Sequence, residues 1–597
     1  MKKIYLMSAL AVVAAASLSS CDDFLEDNRY PETSIVNNQN YWNNATNCQY
    51  QVDRFIDEID PGYGEGGGYG WFFFKTLTDD QVGSSFSDWD FLAVPAKNTN
   101  WTYDQVRGAN IIIAGVNGTT QLSSTDKRNF LGIARFIRAV AYYKLVRTFG
   151  DVVWTNTVLD TNSEDLYAGR TDRDVVMDSV FADLDFALAN ITADNNKLSW
   201  SKDLVRAYKC EVALYEGTYC KYRTEAENYK GPDMTRATKY LNESVAMAEA
   251  LMNSGRYTFG ETIEDYHSLY NSVWGGGESS VVKGEKISDF SALGEIIFGR
   301  RYDKTNGRHS TISYTASSTT TSGMSLDGFL SFLNIDGTPV PQASREDIVA
   351  NTIGENVEFE GAPAYSIEKQ LAKRDLRLSV ITDPYIYYKG MEWSREGCSG
   401  MNSSSGFGVA KYDNVLIPVA DRTNSASNYT SCPIYWLSYI YCNFAEAKAE
   451  LGTLTDADLD ASINKLYKRA GLPAQTVGGL SAMNDPANNM NVSSLLWEVR
   501  RCRRCELMFD NWIRYWDLNR WHQLELLDSK KHPNVLLGAY IENAAIQPNN
   551  AVDGFVRSYP NLDRVFTAKQ YLQPIPSNQF ALYKEHGNNL KQNPLWE

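Results

Sequence analysis

Cys21 is the residue whose chemistry is easiest to read from the sequence, because it directly follows a short apolar N-terminal run. Two lysines open the run, residues 4–18 are apolar and rich in Ala and Val, and Leu18-Ser19-Ser20 stands before the cysteine. This order is typical of a lipoprotein signal peptide, residues 1–20, whose cleavage leaves Cys21 as the first residue. We expect Cys21 to be acylated, since several acyl chains together hold a protein on a membrane. An ordinary secretory signal with an incidental cysteine is the alternative.

Four aromatic side chains stand in polar or glycine-rich surroundings and are the candidates for ligand binding: Trp89, Trp274, Tyr314 and Trp393. A flat apolar ring can stack on the apolar face of a sugar, while neighbouring Asp, Asn, Arg or Gln side chains bind its hydroxyls. For each residue the alternative is a loop anchor that packs on the body of the protein. Trp101 and Trp436 begin apolar helical patterns, so we expect both in the core.

The sequence offers no motif for a catalytic nucleophile, a phosphate-binding loop or a metal centre, and we predict no catalytic residue, no metal and no cofactor. Cys502 and Cys505 form a lone Cys-x-x-Cys without the second pair that a zinc site of this type needs. A surface glycoside hydrolase, which needs a pair of carboxylates, is a remote alternative. With 73 acidic residues such a pair can always be nominated, so their number decides nothing.

The chain is acidic, with a formal net charge of −16. Nucleic acid is therefore an unsuitable partner, because phosphate binding depends on clustered Lys and Arg. The run Arg500-Arg501-Cys502-Arg503-Arg504 is the one basic cluster, and it lies within an apolar helical pattern. After the signal peptide no uninterrupted apolar segment approaches the ~20 residues of a membrane-spanning helix, so we expect the protein to be anchored to a membrane without crossing it.

Long amphipathic patterns predict a mostly helical fold. Each has an N-terminal capping residue or a glycine stop. The predicted helices are 101–116, 126–149 after Ser123, 171–191, 201–222, 234–252, 435–451, 455–470 and 493–521. The second helix is apolar over much of its girth and needs more than one covering neighbour. Consecutive helical hairpins provide that cover, so the pattern indicates a tetratricopeptide-like scaffold with degenerate repeats.

The helical period fades between residues 256 and 431, where Gly, Ser, Thr, Asn and Tyr dominate and short strand-like runs occur at 295–298 and 385–388. We therefore predict an N-terminal region at 21–255, a loop-rich ligand-binding region at 256–431 and a C-terminal helical region at 432–597. Function concentrates in loops, so a loop-rich segment of this size between helical blocks is where we expect a binding surface.

Several blocks resemble the SusD/RagB family, the nutrient-binding outer-membrane lipoproteins of Bacteroidetes. The resemblance covers most of the chain and keeps the family's order of blocks. The similar segments are Asp22-Asp23-Phe24-Leu25-Glu26, residues 135–152, residues 212–217, Arg374-Asp375-Leu376-Arg377-Leu378, residues 435–452, residues 571–576 and Gln592-Asn593-Pro594. Residues 503–509 resemble a further family motif, in which Cys502, Asp510 and Asn511 replace Glu, Glu and Gly.

The resemblance implies a helical scaffold that carries an irregular ligand-binding face. It also implies a protein on the outside of the outer membrane that binds a glycan and acts as the lid of a SusC-like TonB-dependent transporter. A peptide ligand in the same role is the alternative, because specificity lies in loops and not in the scaffold.

Overall fold

The structure is a computed structural model of the chain. It describes residues 38–67, 70, 77–228, 230–276, 281–282, 285–305, 307–315, 322–359, 361–386, 403–542 and 551–597.

Helices make up most of the regular structure. In chain order, α1–α8 are Gln39–Trp42, Ala45–Asp53, Asp104–Gly118, Ser124–Phe149, Arg173–Asn190, Lys202–Tyr222, Glu225–Asn228 and Met234–Met252. The next seven, α9–α15, are Ile263–Asn271, Thr311–Thr315, Leu326–Leu330, Arg345–Thr352, Glu368–Leu371, Leu376–Ile381 and Val419–Thr423. The last seven, α16–α22, are Leu437–Leu451, Asp456–Ala461, Ile463–Arg469, Val477–Ala482, Ser494–Glu506, Ile513–Arg520 and Ser577–Glu585.

The long helices form a continuous stack, which confirms the predicted tetratricopeptide-like scaffold. Helix α3 packs on α4, α4 on α5, α6 on α8, α8 on α16, and α16 on α20. The contact between α8 and α16 joins helices that are far apart in sequence, so the loop-rich segment leaves the stack and returns to it. Two predicted helix starts are confirmed by their caps. Ser123 accepts a hydrogen bond from the backbone N–H of Asp126 at 3.0 Å, and Thr455 forms a capping box with Asp458.

Other predicted helix boundaries are wrong, each for a local reason. Tyr435 and Trp436 end a strand, and helix α16 begins one residue later. The predicted helix at 493–521 is two helices, α20 and α21, because Phe509 and Asn511 have positive φ values of 69° and 46°. Few side chains tolerate this conformation, and Asn is among the most tolerant.

Two further differences concern caps and breaks. Asp172, rather than Thr171, caps α5 by accepting a hydrogen bond from Asp174 N–H. The predicted helix at 455–470 is interrupted at Ser462, whose φ and ψ of −137° and −92° separate α17 from α18.

In the part of the chain that the structure describes, ten short strands lie outside the helical stack. They are β1 Gln81–Gly83, β2 Val281–Val282, β3 Glu285–Lys286, β4 Ile296–Arg300, β5 Ser322–Met324, β6 Glu355–Phe359, β7 Ala362–Ser366, β8 Thr382–Ile386, β9 Phe407–Val409 and β10 Cys432–Trp436. All pairings are antiparallel: β1 with β5, β2 with β3, β4 with β10, and a four-stranded sheet in the order β6-β7-β8-β9. Because β10 leads directly into α16, its pairing with β4 fixes the loop-rich segment to the scaffold.

The predicted basic cluster on α20 lies inside the protein. Arg500, Arg503 and Arg504 pair with Glu450, Asp517 and Asp80 at 2.6, 2.7 and 2.7 Å, and Arg501 pairs with Glu498. All four guanidinium groups belong to buried residues. This run therefore holds neighbouring elements together and offers no basic surface to nucleic acid.

Candidate functional site

Trp89 is buried and anchors its loop, contrary to the exposed ring that ligand stacking requires. Its side chain is 5% exposed and packs in a second hydrophobic cluster that includes Trp497 and Trp521. The indole N–H donates a hydrogen bond to the carbonyl of Val565 at 2.8 Å, and the ring lies 5.8 Å from that of Phe566. The physical reason is that a large apolar ring gains most when both its faces are covered and its N–H has an acceptor.

Trp274 is half-buried and keeps polar groups beside its ring. The Arg301 guanidinium lies over the ring at 5.5 Å from its centre, and Arg301 in turn donates to Asp303 at 2.7 Å. Below the indole, Phe290 lies 6.4 Å away and belongs to the core. An aromatic ring, a guanidinium and a carboxylate at one exposed edge are the groups that a sugar ring and its hydroxyls can use.

Tyr314 is also half-buried, near the end of α10. Trp393 and Cys21 lie outside the described residues. Trp89 and Trp274 pack in different hydrophobic clusters, so these two rings do not share one packed group. No helix in the described part of the chain is long and apolar enough to span a membrane.

Phe86 and Tyr559 form a half-buried aromatic pair that the sequence analysis did not single out. Their rings lie 5.9 Å apart in an edge-to-face arrangement, and the Tyr559 hydroxyl donates to the backbone carbonyl of Ser84. Phe86 stands three residues before Trp89 on the loop that directly follows β1. The buried Trp89 thus holds in place the loop that carries the half-buried Phe86 ring.

A cleft of about 450 Å³ opens between the helices of the scaffold. We call it the helical cleft. Its walls come from α4, α6, α16, α20 and α21. The lining residues include aromatic rings, amides and charged groups: Tyr143, Tyr215, Tyr439, Trp512, Trp516, Asn100, Gln105, Asn511, Gln573, Lys144, Arg147 and Glu211. Its volume is that of ordinary small-molecule sites.

The sequence carries a signal for the helical cleft. Lys144, Arg147 and Thr148 interrupt the apolar pattern of α4 at helical spacing, and Glu211 does the same on α6. Residues three and four apart share one face of a helix. These polar side chains therefore mark faces that no neighbouring helix covers.

A second cavity, of about 400 Å³, is lined by charged groups that already have partners. Arg514 donates to both carboxylate oxygens of Asp79 at 2.8 and 2.6 Å, and Arg504 pairs with Asp80 and Asp327 at 2.7 and 2.8 Å. These arginines hold the pKa of the buried Asp79 carboxyl well below its usual range. The cluster ties the segment before β1 to α20 and leaves little free hydrogen-bonding capacity for a ligand.

Among the described residues, one group of cysteine and carboxylate side chains lies close enough together to hold a metal ion: Asp174, Glu216 and Cys220. Arg173 pairs with Glu216 at 2.6 Å and Arg223 pairs with Asp174 at 2.7 Å, so the charges that a cation would neutralise already have partners. Cys502 and Cys505 are buried free thiols in α20, and burial raises the pKa of Cys502 to about 12. A thiol held protonated is a poor metal ligand.

Comparison with known proteins identifies two family models that match separate stretches of the chain. A family model described as "SusD family" matches residues 294–596, and one described as "Starch-binding associating with outer membrane" matches residues 72–207. Two SusD-like proteins of Formosa agariphila are 29% identical over 128 residues and 26% identical over 221 residues. These matches cover 21% and 35% of this chain and span only 23% and 42% of the relatives' own lengths.

The fold has close counterparts among solved structures. A SusD-like carbohydrate-binding protein from Bacteroides fragilis superposes with a TM-score of 0.64, at 18% sequence identity. The match covers 90% of this chain and 98% of the other. At this identity the likeness concerns the fold.

Proposed function

Because this chain belongs to the SusD family, we propose that it is a cell-surface protein that binds oligosaccharides and delivers them to a SusC-like TonB-dependent transporter of the outer membrane. The family match over residues 294–596 carries this proposal. The second matching family, described as starch-binding and associated with the outer membrane, supports the same ligand class and location. The anchor would be Cys21, which follows a lipoprotein-type signal.

The ligand platform we propose consists of Trp274, Tyr314 and Trp393, with Phe86 as an additional ring. Trp274 supports this best, because its half-buried indole has the Arg301 guanidinium 5.5 Å from its ring centre and the Asp303 carboxylate next to it. Trp89 contributes indirectly by holding the loop that carries Phe86. Sugar stacking on one ring is modest, so several rings must act together.

The pairing of the buried carboxylates with cations favours binding without catalysis. The buried carboxylates Asp79, Asp174 and Glu446 each pair with arginines, and the pKa of each is lowered by those cations. A glycosidase needs one carboxylic acid with a raised pKa to protonate the leaving oxygen. These three groups are tuned in the opposite direction. Burial raises the pKa of three other carboxyls, Asp80, Glu295 and Asp510, but each of them is paired with a cation, Arg504, Arg469 and Lys411 respectively.

Calorimetric titration with glycans selected on an array tests the binding proposal, using a chain that begins after Cys21. We expect Trp274→Ala to weaken binding by about 1 to 3 kcal/mol, as at other binding hot spots, with little change in stability. Tyr50→Ala is the matched control, because Tyr50 is 67% exposed on α2. Equal losses in both variants would contradict the platform. Binding of peptides but not glycans would favour the alternative ligand, and release of sugar products would identify a hydrolase.

The transporter proposal has a separate test. A protein tethered to the outside of a membrane cannot move its ligand across, so import requires a pore. Affinity purification of the full-length protein in mild detergent should recover a large β-barrel protein in near-equal amount. Repeated recovery of this protein alone would contradict the role as a transporter lid.

A further inference from the structure

Arg147 differs from the other buried or half-buried arginines of the scaffold. Most of them pair with carboxylates, and Arg374 and Arg564 donate to backbone carbonyls instead. Within the described part of the chain, Arg147 forms neither an ion pair nor a hydrogen bond to a backbone carbonyl, and its guanidinium lies against aromatic rings. Burial opposes its charge, while the Tyr143 hydroxyl and the Glu211 carboxylate attract it and raise its pKa. A partly desolvated cation that no carboxylate contacts directly can still gain from a further negative charge.

The surroundings of Arg147 hold its guanidinium in place while leaving its donors available. The group lies 4.0 Å from the ring centre of Trp516 and 5.0 Å from that of Tyr143. Its Nε and the Tyr143 hydroxyl are both buried, and neither has a hydrogen-bond partner among the described residues. Both residues line the helical cleft. A planar guanidinium fixed between rings offers a carboxylate two parallel hydrogen bonds.

Glu211, on α6, can bind a hydroxyl group of a ligand in the cleft. Glu211 accepts a hydrogen bond from Tyr435 at 2.6 Å through one carboxylate oxygen, and no donor within the described residues reaches its other oxygen. Glu211 and Arg147 do not pair with each other, although both line the cleft. The amides of Asn100 and Gln573, which share a hydrogen bond of 3.0 Å, add neutral donors and acceptors at the entrance.

We propose that the helical cleft is a second ligand site and that it takes a sugar bearing a carboxylate, such as a uronate. Arg147 binds the carboxylate, Trp516 and Tyr143 hold the guanidinium and border the sugar ring, and Glu211 accepts a hydrogen bond from a hydroxyl. The ligand class rests on the proposed function of glycan binding. A cleft of about 450 Å³ accommodates one or two sugar rings.

Titration with galacturonate and glucuronate, each beside its neutral counterpart galactose or glucose, tests this proposal on the chain after Cys21. Each acidic sugar differs from its counterpart at one carbon, so the ratio of affinities reports the carboxylate alone. We expect the wild type to prefer the acidic sugar by about tenfold or more, the range of a charge-assisted hydrogen bond. Arg147→Gln should abolish this preference, and Arg147→Lys should keep part of it.

Arg128→Gln is the matched control, since Arg128 is exposed on the same helix, α4. It should leave the preference unchanged. Thermal melts identify any variant that fails to fold. If Arg147→Gln does not fold, Glu211→Gln provides the second readout, and it should weaken the binding of every sugar. A wild type that binds both sugars equally, or a preference that survives in Arg147→Gln, would overturn the proposal.

The outcomes also separate this inference from the proposed function. Neutral glycans that bind in a Trp274-dependent manner, without any preference for uronates, overturn the second site and leave glycan binding standing. Binding of neither the monosaccharides nor any glycan of the array overturns both. If an acidic peptide competes better than any uronate, the cleft takes carboxylates but not sugars, which overturns the assigned ligand class.

Discussion

Replacing Trp89 by alanine should destabilise the fold and leave the ligand site chemically intact. The side chain is 5% exposed, so its truncation opens a cavity in the cluster that contains Trp497 and Trp521. It also leaves the Val565 carbonyl without its donor at 2.8 Å. Buried Trp→Ala substitutions cost about 3 to 5 kcal/mol, which is roughly a 140- to 4,000-fold loss in the folding equilibrium.

Urea unfolding followed by tryptophan fluorescence and circular dichroism measures this loss. Trp89→Phe keeps most of the ring but removes the N–H, and the loss should be smaller, about 1 to 3 kcal/mol, the cost of an unsatisfied buried acceptor. Glycan affinity, measured where each variant is fully folded, should fall little in either case. An alanine variant of wild-type stability whose glycan affinity drops tenfold would refute the reasoning, because it would make Trp89 a ligand platform.

Three further outcomes are expected. Cys21→Ala should release the protein from membranes, and intact-mass measurement of the wild type should show the added acyl chains; an unmodified mature Cys21 would disprove the anchor. Burial lowers the pKa of His309 to about 3. Below pH 6.5 the His309 side chain therefore takes up a proton in the unfolded chain but not in the folded chain. The free energy of unfolding should decrease as the pH is lowered. Urea unfolding between pH 4 and 6 measures this dependence. The free energy of unfolding of His309→Gln should change by about 1.4 kcal/mol less per pH unit than that of the wild type, and equal slopes would contradict the assignment. Arg514→Ala should cost about 3 kcal/mol by leaving the Asp79 carboxylate partly uncompensated, whereas a neutral effect in chemical denaturation would show that Arg504 alone suffices.

Much of the helical scaffold could be predicted from the sequence, because local signals determine where helices begin and end. Ser123 and Thr455 cap the helices that they were expected to cap. The failures occur where a local conformation interrupts an apolar pattern that continues across it. Phe509 and Asn511 adopt positive φ between two helices whose apolar residues keep the same period, so periodicity alone joins the two into one.

The candidate site was less predictable, since its residues are defined by what covers them. Trp274 and Trp89 stand in similarly polar segments, yet the first is half-buried beside Arg301 and the second is enclosed. The difference arises from Val565, more than 470 residues away in sequence, whose carbonyl accepts the Trp89 N–H. No pattern within the loop specifies that contact.

The sequence by itself determined the acidic charge, the signal before Cys21, the helical scaffold and the family resemblance, because each depends on composition or on residues close together in the chain. The tertiary structure alone decided which charges are neutralised. Arg503 and Arg147 both line the helical cleft, but folding gives Arg503 the carboxylate of Asp517 at 2.7 Å and, among the described residues, places Arg147 against aromatic rings without an ion pair. Whether a charge holds the fold together or remains available to a ligand depends on its neighbours in space, and these come from distant parts of the chain.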